Sequence, residues 1–243
     1  MIDGASERIR VLVYNVKAFR LGTDRAASLI APHAPDVALV QECGPRYRLH
    51  RFARALGMDA ASVHFRLRRS IHNAVLVRPP WRILRRRLHR FPPDVRLYPR
   101  GALVARVGRA GLRLSIVSLH LGLKPAARRR NVEELVGLTV GLDHPVMTGG
   151  DLNEAPGGNA VGWLSGRMWD AFAVGGTGQG ETYPASDPTS RIDYLFVDEG
   201  FVVEGAAVLV GREAASASDH LPLLVDLRLR EPSTLERESP ESL

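Results

Sequence analysis

Eight polar residues of the chain stand where its apolar runs begin or end. Asn15 follows RVLVY, Glu42 follows DVALVQ, His120 follows LSIVSL, Asp151 and Asn153 follow PVMTGG, Asp193 opens DYLFV, and the pair Asp219-His220 precedes LPLLVDL. Burying unpaired carboxylates beside such runs costs several kcal/mol per ion, so these groups need mutual pairing, a metal ion or an open cleft. The oxygens of Asn15, Glu42 and Asp219 are hard donors suited to Mg²⁺, with Mn²⁺ as the alternative; zinc would call for more nitrogen or sulfur. His120 and His220 can each move a proton or donate a hydrogen bond to a phosphoryl oxygen once a carboxylate fixes the tautomer, and Asp193 is the natural orienter of His220. Asp151 could orient or deprotonate an attacking water while the amide of Asn153 holds that water or the transition-state oxygen.

Strands must carry these residues to one place. Short apolar runs bounded by turn residues predict strands at 10–15, 36–41, 73–77, 83–88, 102–107, 112–119, 145–148, 192–197, 202–210 and 221–229. Helices fit 24–31 after a Thr23 cap, 46–56 ended by Gly57, and 125–141, where Pro125 suits the first turn and Val132, Leu135, Leu138 and Leu142 share a face. Some strands read as fully buried and others alternate, the pattern of two sheets packed face to face with helices outside. If the strand ends meet on one rim, residues far apart in sequence meet there too. The Gly-rich stretch 175–188 is long for a simple connection and could border that rim. A single domain is expected over 1–230, followed by a tail at 231–243 without apolar periodicity.

Composition narrows the classes. The 243 residues are 45% hydrophobic and 24% charged, enough for a full core and too apolar for intrinsic disorder. The single cysteine, Cys43, excludes an internal disulfide and any zinc framework built on paired cysteines; it reads as a small buried filler. The N-terminus lacks a basic flank leading into a long apolar run, and no stretch reaches the ~18 apolar residues of a membrane helix, so a soluble, cytoplasmic protein is expected. The net charge is +7, and all but Lys17 and Lys124 of the 33 basic residues are arginine. Segment 46–113 alone holds 18 arginines against Asp59 and Asp94, which leaves the rest of the chain net negative. Such a cationic stretch suits a polyanion, although arginines also form ordinary ion pairs and cover apolar surface.

Taken together, the strings YNV (14–16), QE (41–42), SLHLG (118–122), GGDLNE (149–154), RIDYLFV (191–197) and SDHLPL (218–223) resemble the ordered signature of the endonuclease/exonuclease/phosphatase superfamily of metal-dependent phosphoesterases. The resemblance runs from residue 10 to residue 229. It implies a DNase I-like four-layer α/β sandwich, two mixed and mainly antiparallel sheets flanked by helices, with the site where the sheets open at one edge. It further implies Glu42 as principal magnesium ligand with Asn15 and Asp219 nearby. Asp151 would act on the nucleophilic water with Asn153 as its amide partner, and Asp193 with His220 would face the scissile phosphate. His120 matches the branch that resembles pancreatic-type DNases, sphingomyelinases and inositol-polyphosphate phosphatases. A histidine there, and Ala217 where an aromatic residue is usual, both depart from the abasic-site endonucleases.

Singly, several of these residues have bland readings: a strand cap for Asp193, an Asx turn for Asp151, a core histidine for His120. Asn73 reads as structural. Arg100 and 128–130 could touch phosphate, and His33, His50, His64, His72, His89 and His144 lack metal spacing and read as surface or packing residues. The function expected is a Mg²⁺-dependent phosphodiester hydrolase, a nuclease acting on DNA or RNA held by segment 46–113. The alternatives are a phospholipid or inositol-phosphate esterase and a catalytically silent polyanion-binding module.

Overall fold

A computed structural model describes residues 7–62, 71–92 and 99–230. The expected tail at 231–243, and the arginines at 66, 68, 69 and 96, lie outside the described residues. In chain order the elements are β1 (Arg8–Asn15), α1 (Thr23–Ile30), β2 (Val37–Gln41), α2 (Arg46–Ala55), β3 (Asp59–Ser62), β4 (Ala74–Val77), β5 (Arg82–Arg90), β6 (Gly101–Arg109), β7 (Leu112–His120), α3 (Pro125–Thr139), β8 (Val146–Asp151), α4 (Asn159–Ser165), β9 (Trp169–Asp170), α5 (Ala171–Gly175), β10 (Gly176–Thr177), β11 (Asp193–Val197), β12 (Phe201–Val208), α6 (Arg212–Ala215) and β13 (Leu223–Leu229). Strand order is β10-β12-β13-β1-β2-β4-β3 in one sheet and β5-β6-β7-β8-β11-β9 in the other. The pairs β1–β2, β7–β8 and β10–β12 are parallel and the remaining pairs antiparallel. Each of the first two parallel pairs is closed by a crossover helix, α1 and α3 respectively, as parallel neighbours require.

The alternation of side chains along each strand builds the layers. In β1, Ile9, Val11 and Val13 enter the core between the sheets, while Leu12 and Tyr14 face outward with Ile30 of α1 and Leu49 and Phe52 of α2. In β7, Leu114 and Ile116 point inward, and Val117 and Leu119 outward with Val132, Leu135 and Leu138 of α3. The result is helix, sheet, sheet, helix: an α/β four-layer sandwich. No helix among the described residues is long and apolar enough to cross a membrane.

The ten expected strands and three expected helices all form, with ends shifted by a few residues. The Thr23 cap does not form. Gly22 takes the cap position, Thr23 is already helical, and no side chain caps α1. Six short elements, β3, α4, β9, α5, β10 and α6, escape sequence reading. β3 is four small or polar residues, and α4 (NAVGWLS) carries a central glycine. Its first amides are satisfied from a distance, since Glu154 Oε2 accepts from Ala160 N at 2.6 Å and from Val161 N at 3.2 Å. No local capping signature announces such a helix.

The arginine-rich segment is not one face. Arg48 donates to Ala18 O, Arg78 to Pro35 O and Leu56 O, and Arg100, buried, to Leu121 O, while Arg51, Arg106 and Arg109 pair with Asp24, Asp143 and Glu7. Arg128 meets Glu154 rather than presenting itself to solvent. Asn73 is structural, as expected, donating to Gly101 O and Ser118 O and so tying one sheet to the other.

Candidate active site

The alternation that fills the core also builds the site. Continuing the inward series by one step reaches Asn15 after Val13 in β1, Gln41 after Leu39 in β2, His120 two places beyond Ser118 in β7, Asp151 at the end of β8 and Asp193 at the start of β11. Register aligns them. His120 is opposite Asp151, Asp151 opposite Asp193, and Asn15 opposite Gln41, giving one polar row per sheet at the same edge. The rows meet through Asn15 Nδ2, which donates to Asp151 Oδ2 at 2.9 Å, and Gln41 Nε2, which donates to Ser118 Oγ at 3.1 Å. Gly150 leaves room for this contact: a Cβ there would collide with Leu119 O of the neighbouring strand and come within 2.9 Å of Gln41 Nε2 from the other sheet.

Loops complete the rim. Glu42, at φ 47°, sets its 37%-exposed carboxylate 4.0 Å from His120 Nε2, which itself lies 3.2 Å from Asp151 Oδ2. Ser218 Oγ donates to Asn15 O at 2.7 Å and fixes the loop holding Asp219 and His220. His220 Nδ1 is 2.8 Å from Asp193 Oδ2, and its Nε2 faces Asp151 at 3.8 Å. The Asx turn read at Asp151 forms, the backbone N–H of Asn153 donating to Asp151 Oδ1 at 2.9 Å, and the Asn153 side-chain amide adds a positioning bond by donating to Leu121 O at 3.0 Å. Asp219 Oδ2 is 2.7 Å from Lys17 Nζ. All eight candidate residues therefore converge on this edge.

Several neighbours were not singled out beforehand. His72 hydrogen-bonds Gly44 O through Nδ1, and burial lowers its pKa against the opposing pull of Gly44 O and Glu42. Thr182 Oγ1 accepts from Asp193 N, and the Tyr183 ring lies 5.0 Å from that of His220, so the 175–188 loop does border the site. Lys17 had one signal, its rarity as a lysine in an arginine-rich chain. Cys43, adjoining Glu42, is buried and its thiol is pushed up to about 12 by that burial, which makes it a filler and no nucleophile.

The charges follow from the contacts. Burial alone would raise the Asp151 carboxyl, but the positive charges of His120 and His220, with the hydrogen bond from Asn153 N–H, hold it well below the usual range. Burial alone would lower His220, yet Asp193 and Asp151 push it up to about 10. Asp193 itself is raised, burial outweighing the attraction of His220. At neutral pH His220 is therefore an imidazolium beside an ionised Asp151. Its raised pKa contributes stability that is fully present below the ordinary histidine value near 6.5 and is lost as pH rises through about 10. An NMR titration of the metal-free protein should show the His220 ring titrating near the top of that window, and D193N should move it down; a wild-type midpoint below 7 would contradict this charge pattern.

Two donor sets could hold a cation. Asp151, Asp193 and His220 bring ligand atoms within 4.8 Å of one another, but His220 Nδ1 is already engaged by Asp193. Asn15, Glu42 and Asp219 offer oxygen alone, the donor chemistry of a hard divalent ion, and Glu42 is open to solvent. Buried polar atoms without hydrogen-bond partners, Asp193 Oδ1 and His120 Nε2, also point to a site built to receive something; the 3.2 Å approach of His120 to Asp151 falls outside hydrogen-bond geometry. A separate cleft of about 700 Å³ lies toward the other end of β1, and its charges satisfy one another through Arg10–Asp226 and Arg8–Glu204.

A four-layer sandwich with facing acid and imidazole rows at its open edge is the architecture of a phosphoester hydrolase. The chain belongs to the Endonuclease/Exonuclease/phosphatase family, whose model matches residues 12–220, and members of that family are divalent-metal-dependent hydrolases of phosphoester bonds. Solved structures share the fold. An endonuclease/exonuclease/phosphatase from Bacteroides vulgatus superposes with a TM-score of 0.78 at 21% identity, over 92% of this chain and 100% of that one. A mannosyl-6-phosphatase from Bacteroides thetaiotaomicron gives 0.75 at 23% identity (90% and 99%). TDP2 from D. rerio, complexed with a single-strand DNA product, gives 0.74 at 18% (91% and 99%). No curated protein sequence matches the chain significantly.

Proposed function

We propose that the chain is a Mg²⁺-dependent phosphodiester hydrolase acting on nucleic acid. The observation that carries the hydrolytic part is the row His120–Asp151–Asp193 with His220 seated on Asp193, facing Asn15 and Glu42 across the sheet opening. Asn15, Glu42 and Asp219 would hold the divalent ion, which when bound polarises a non-bridging phosphoryl oxygen and offsets leaving-group charge. Asp151, ionised and flanked by imidazoles, accepts the proton of a water that attacks phosphorus in line. His220 donates from Nε2 to a phosphoryl oxygen while Asp193 fixes its Nδ1–H, and His120 supplies the second imidazole near the departing oxygen. The new P–O bond forms as the ester P–O bond breaks; Asp151 keeps the proton of the water, and the leaving oxygen takes its proton from the His120 imidazolium.

The nucleic-acid part rests on β5 (RILRRRLHR), an exposed strand at the edge of the six-stranded sheet. Among the described residues, the side chains of Arg85, Arg86 and Arg87 have no ion-pair or hydrogen-bond partner, and with Leu138, Val140 and Leu142 they line a cleft of about 270 Å³. The ladder β5–β6–β7 sets Arg90 level with Gly101 and Gly101 level with His120, so this strand runs outward from the site. Unpaired arginines on an edge strand also discourage edge-to-edge association, so the test must be specific to phosphate. Replacing Arg85, Arg86 and Arg87 together by alanine should flatten the log K against log salt slope for duplex DNA by about 2 to 3, near 0.9 per lost phosphate contact. An unchanged slope, or wild-type binding that ignores salt, would favour a small phosphoester substrate instead.

A further inference from the structure

The turn after β1 is strained where it matters. Lys17 (φ 44°), Ala18 (φ 54°) and Phe19 (φ 52°) form the one run of three consecutive non-glycine left-handed residues in the described backbone. Such residues are individually unfavourable and persist only where their surroundings over-determine them. Here the surroundings do so. Ala18 N donates to Glu42 O at 2.7 Å, Arg48 Nη1 donates to Ala18 O at 2.8 Å, and the Phe19 ring packs 5.1 Å from that of Phe52. Gly44 closes the arrangement from the other side, since a Cβ on it would come within 3.0 Å of Ala18 Cα.

The strained turn brings Lys17 to two of the three residues assigned above to the divalent ion and anchors itself on the backbone of the third. Its backbone N–H donates to Asn15 Oδ1 at 3.1 Å, and its ammonium lies 2.7 Å from Asp219 Oδ2 while remaining 39% exposed. A lysine at this point is notable in a chain where 31 of 33 cations are arginine. Arginine's planar fork would commit itself to one carboxylate in a fixed geometry. An ammonium is a compact charge on a flexible stem with three rotatable donors, and it can exchange one anion for another.

We infer that Lys17 is an exchangeable cation of the site: its ammonium holds Asp219 until a divalent ion claims that carboxylate, and then turns to grip the phosphoryl group of the substrate. This rests on the proposed ligand set Asn15, Glu42 and Asp219. Two positive groups cannot share one carboxylate at contact without mutual cost, so the lysine and the ion compete, and the displaced ammonium lies within a side chain's reach of whatever anion enters between the two sheets.

The test uses the full-length protein stripped of metal, with K17Q, K17R and wild type compared by calorimetric Mn²⁺ titration and by steady-state hydrolysis of bis(4-nitrophenyl) phosphate. Removing the competing charge should tighten Mn²⁺ binding by about fivefold in K17Q, whereas K17R, whose fork commits itself to Asp219, should bind Mn²⁺ more weakly than wild type. Losing one charge-assisted bond to phosphate should raise KM in K17Q by about tenfold with a smaller change in kcat. Unchanged or weaker Mn²⁺ binding by K17Q would overturn the competition, because a lysine that merely orients Asp219 leaves a poorer metal site when removed. An unchanged KM would overturn the grip on substrate. Should K17Q fail to fold, K17R still decides: as tight a KM as wild type would speak against a role for the compact ammonium. A wild-type protein that binds Mn²⁺ yet hydrolyses no ester would remove the hydrolase reading while leaving the Mn²⁺ comparison decisive for Lys17.

Discussion

Changing Asp151 to asparagine should lower kcat on a phosphodiester by about a thousandfold, the range expected for loss of a positioned general base. Asparagine keeps the size of the side chain and one acceptor oxygen, which can hold the Asn153 N–H bond at the Oδ1 position, while the Asn15 Nδ2 bond to the Oδ2 position is given up. What disappears is the buried carboxylate that His120 and His220 keep ionised far below ordinary carboxylate pH. The loss should fall on kcat and leave KM within a few fold, since Asp151 handles water and not the bound phosphate. Steady-state kinetics beside circular dichroism of the same preparation check this. A folded D151N with kcat within threefold of wild type would remove Asp151 from the chemistry.

The second large effect is one of stability. Glu154 closes the GGDLNE string with an arrangement no local rule would suggest: Oε1 is 2.8 Å from the largely buried Arg128 Nε, and Oε2 accepts from the amides of Ala160 and Val161 in the first turn of α4. Its carboxylate occupies the space a Cβ of Gly158 would need. Glu154→Ala strands Arg128 as an uncompensated buried charge and uncaps α4, and should destabilise the protein by about 3 to 5 kcal/mol, read as a lower urea midpoint at unchanged slope. A loss under 1 kcal/mol would mean that Arg128 escapes to solvent at little cost.

Much of the site was legible because strands obey a period of two. Once Val11 and Val13 are assigned to the core, Asn15 must face the same way, and the same logic runs from Leu195 to Asp193 and from Met147 to Asp151. The pairing of Asp193 with His220 could be read as chemistry, a carboxylate needed to orient a ring, before any geometry was known. What escaped depends on contacts between residues distant in sequence. Thr23 looked like a cap, but Gly22 holds the cap position, while α4 is capped by a carboxylate five residues upstream. Lys17 and His72 reach the site from turns whose backbone is set by Glu42, Gly44 and Arg48, none of which advertises that role locally. The arginine count of segment 46–113 overstated its cationic surface because composition cannot tell Arg78, spent on Pro35 O and Leu56 O, from Arg86, which has no such partner.

Hydrolysis in ¹⁸O-labelled water, with Mg²⁺ and then with excess EDTA, bears most directly on the catalytic claim. Attack on phosphorus by water from the opening between the sheets predicts one ¹⁸O in the phosphate product, none in the released alcohol, and no turnover once the metal is chelated. Label appearing in the alcohol, or a rate indifferent to EDTA, would contradict it.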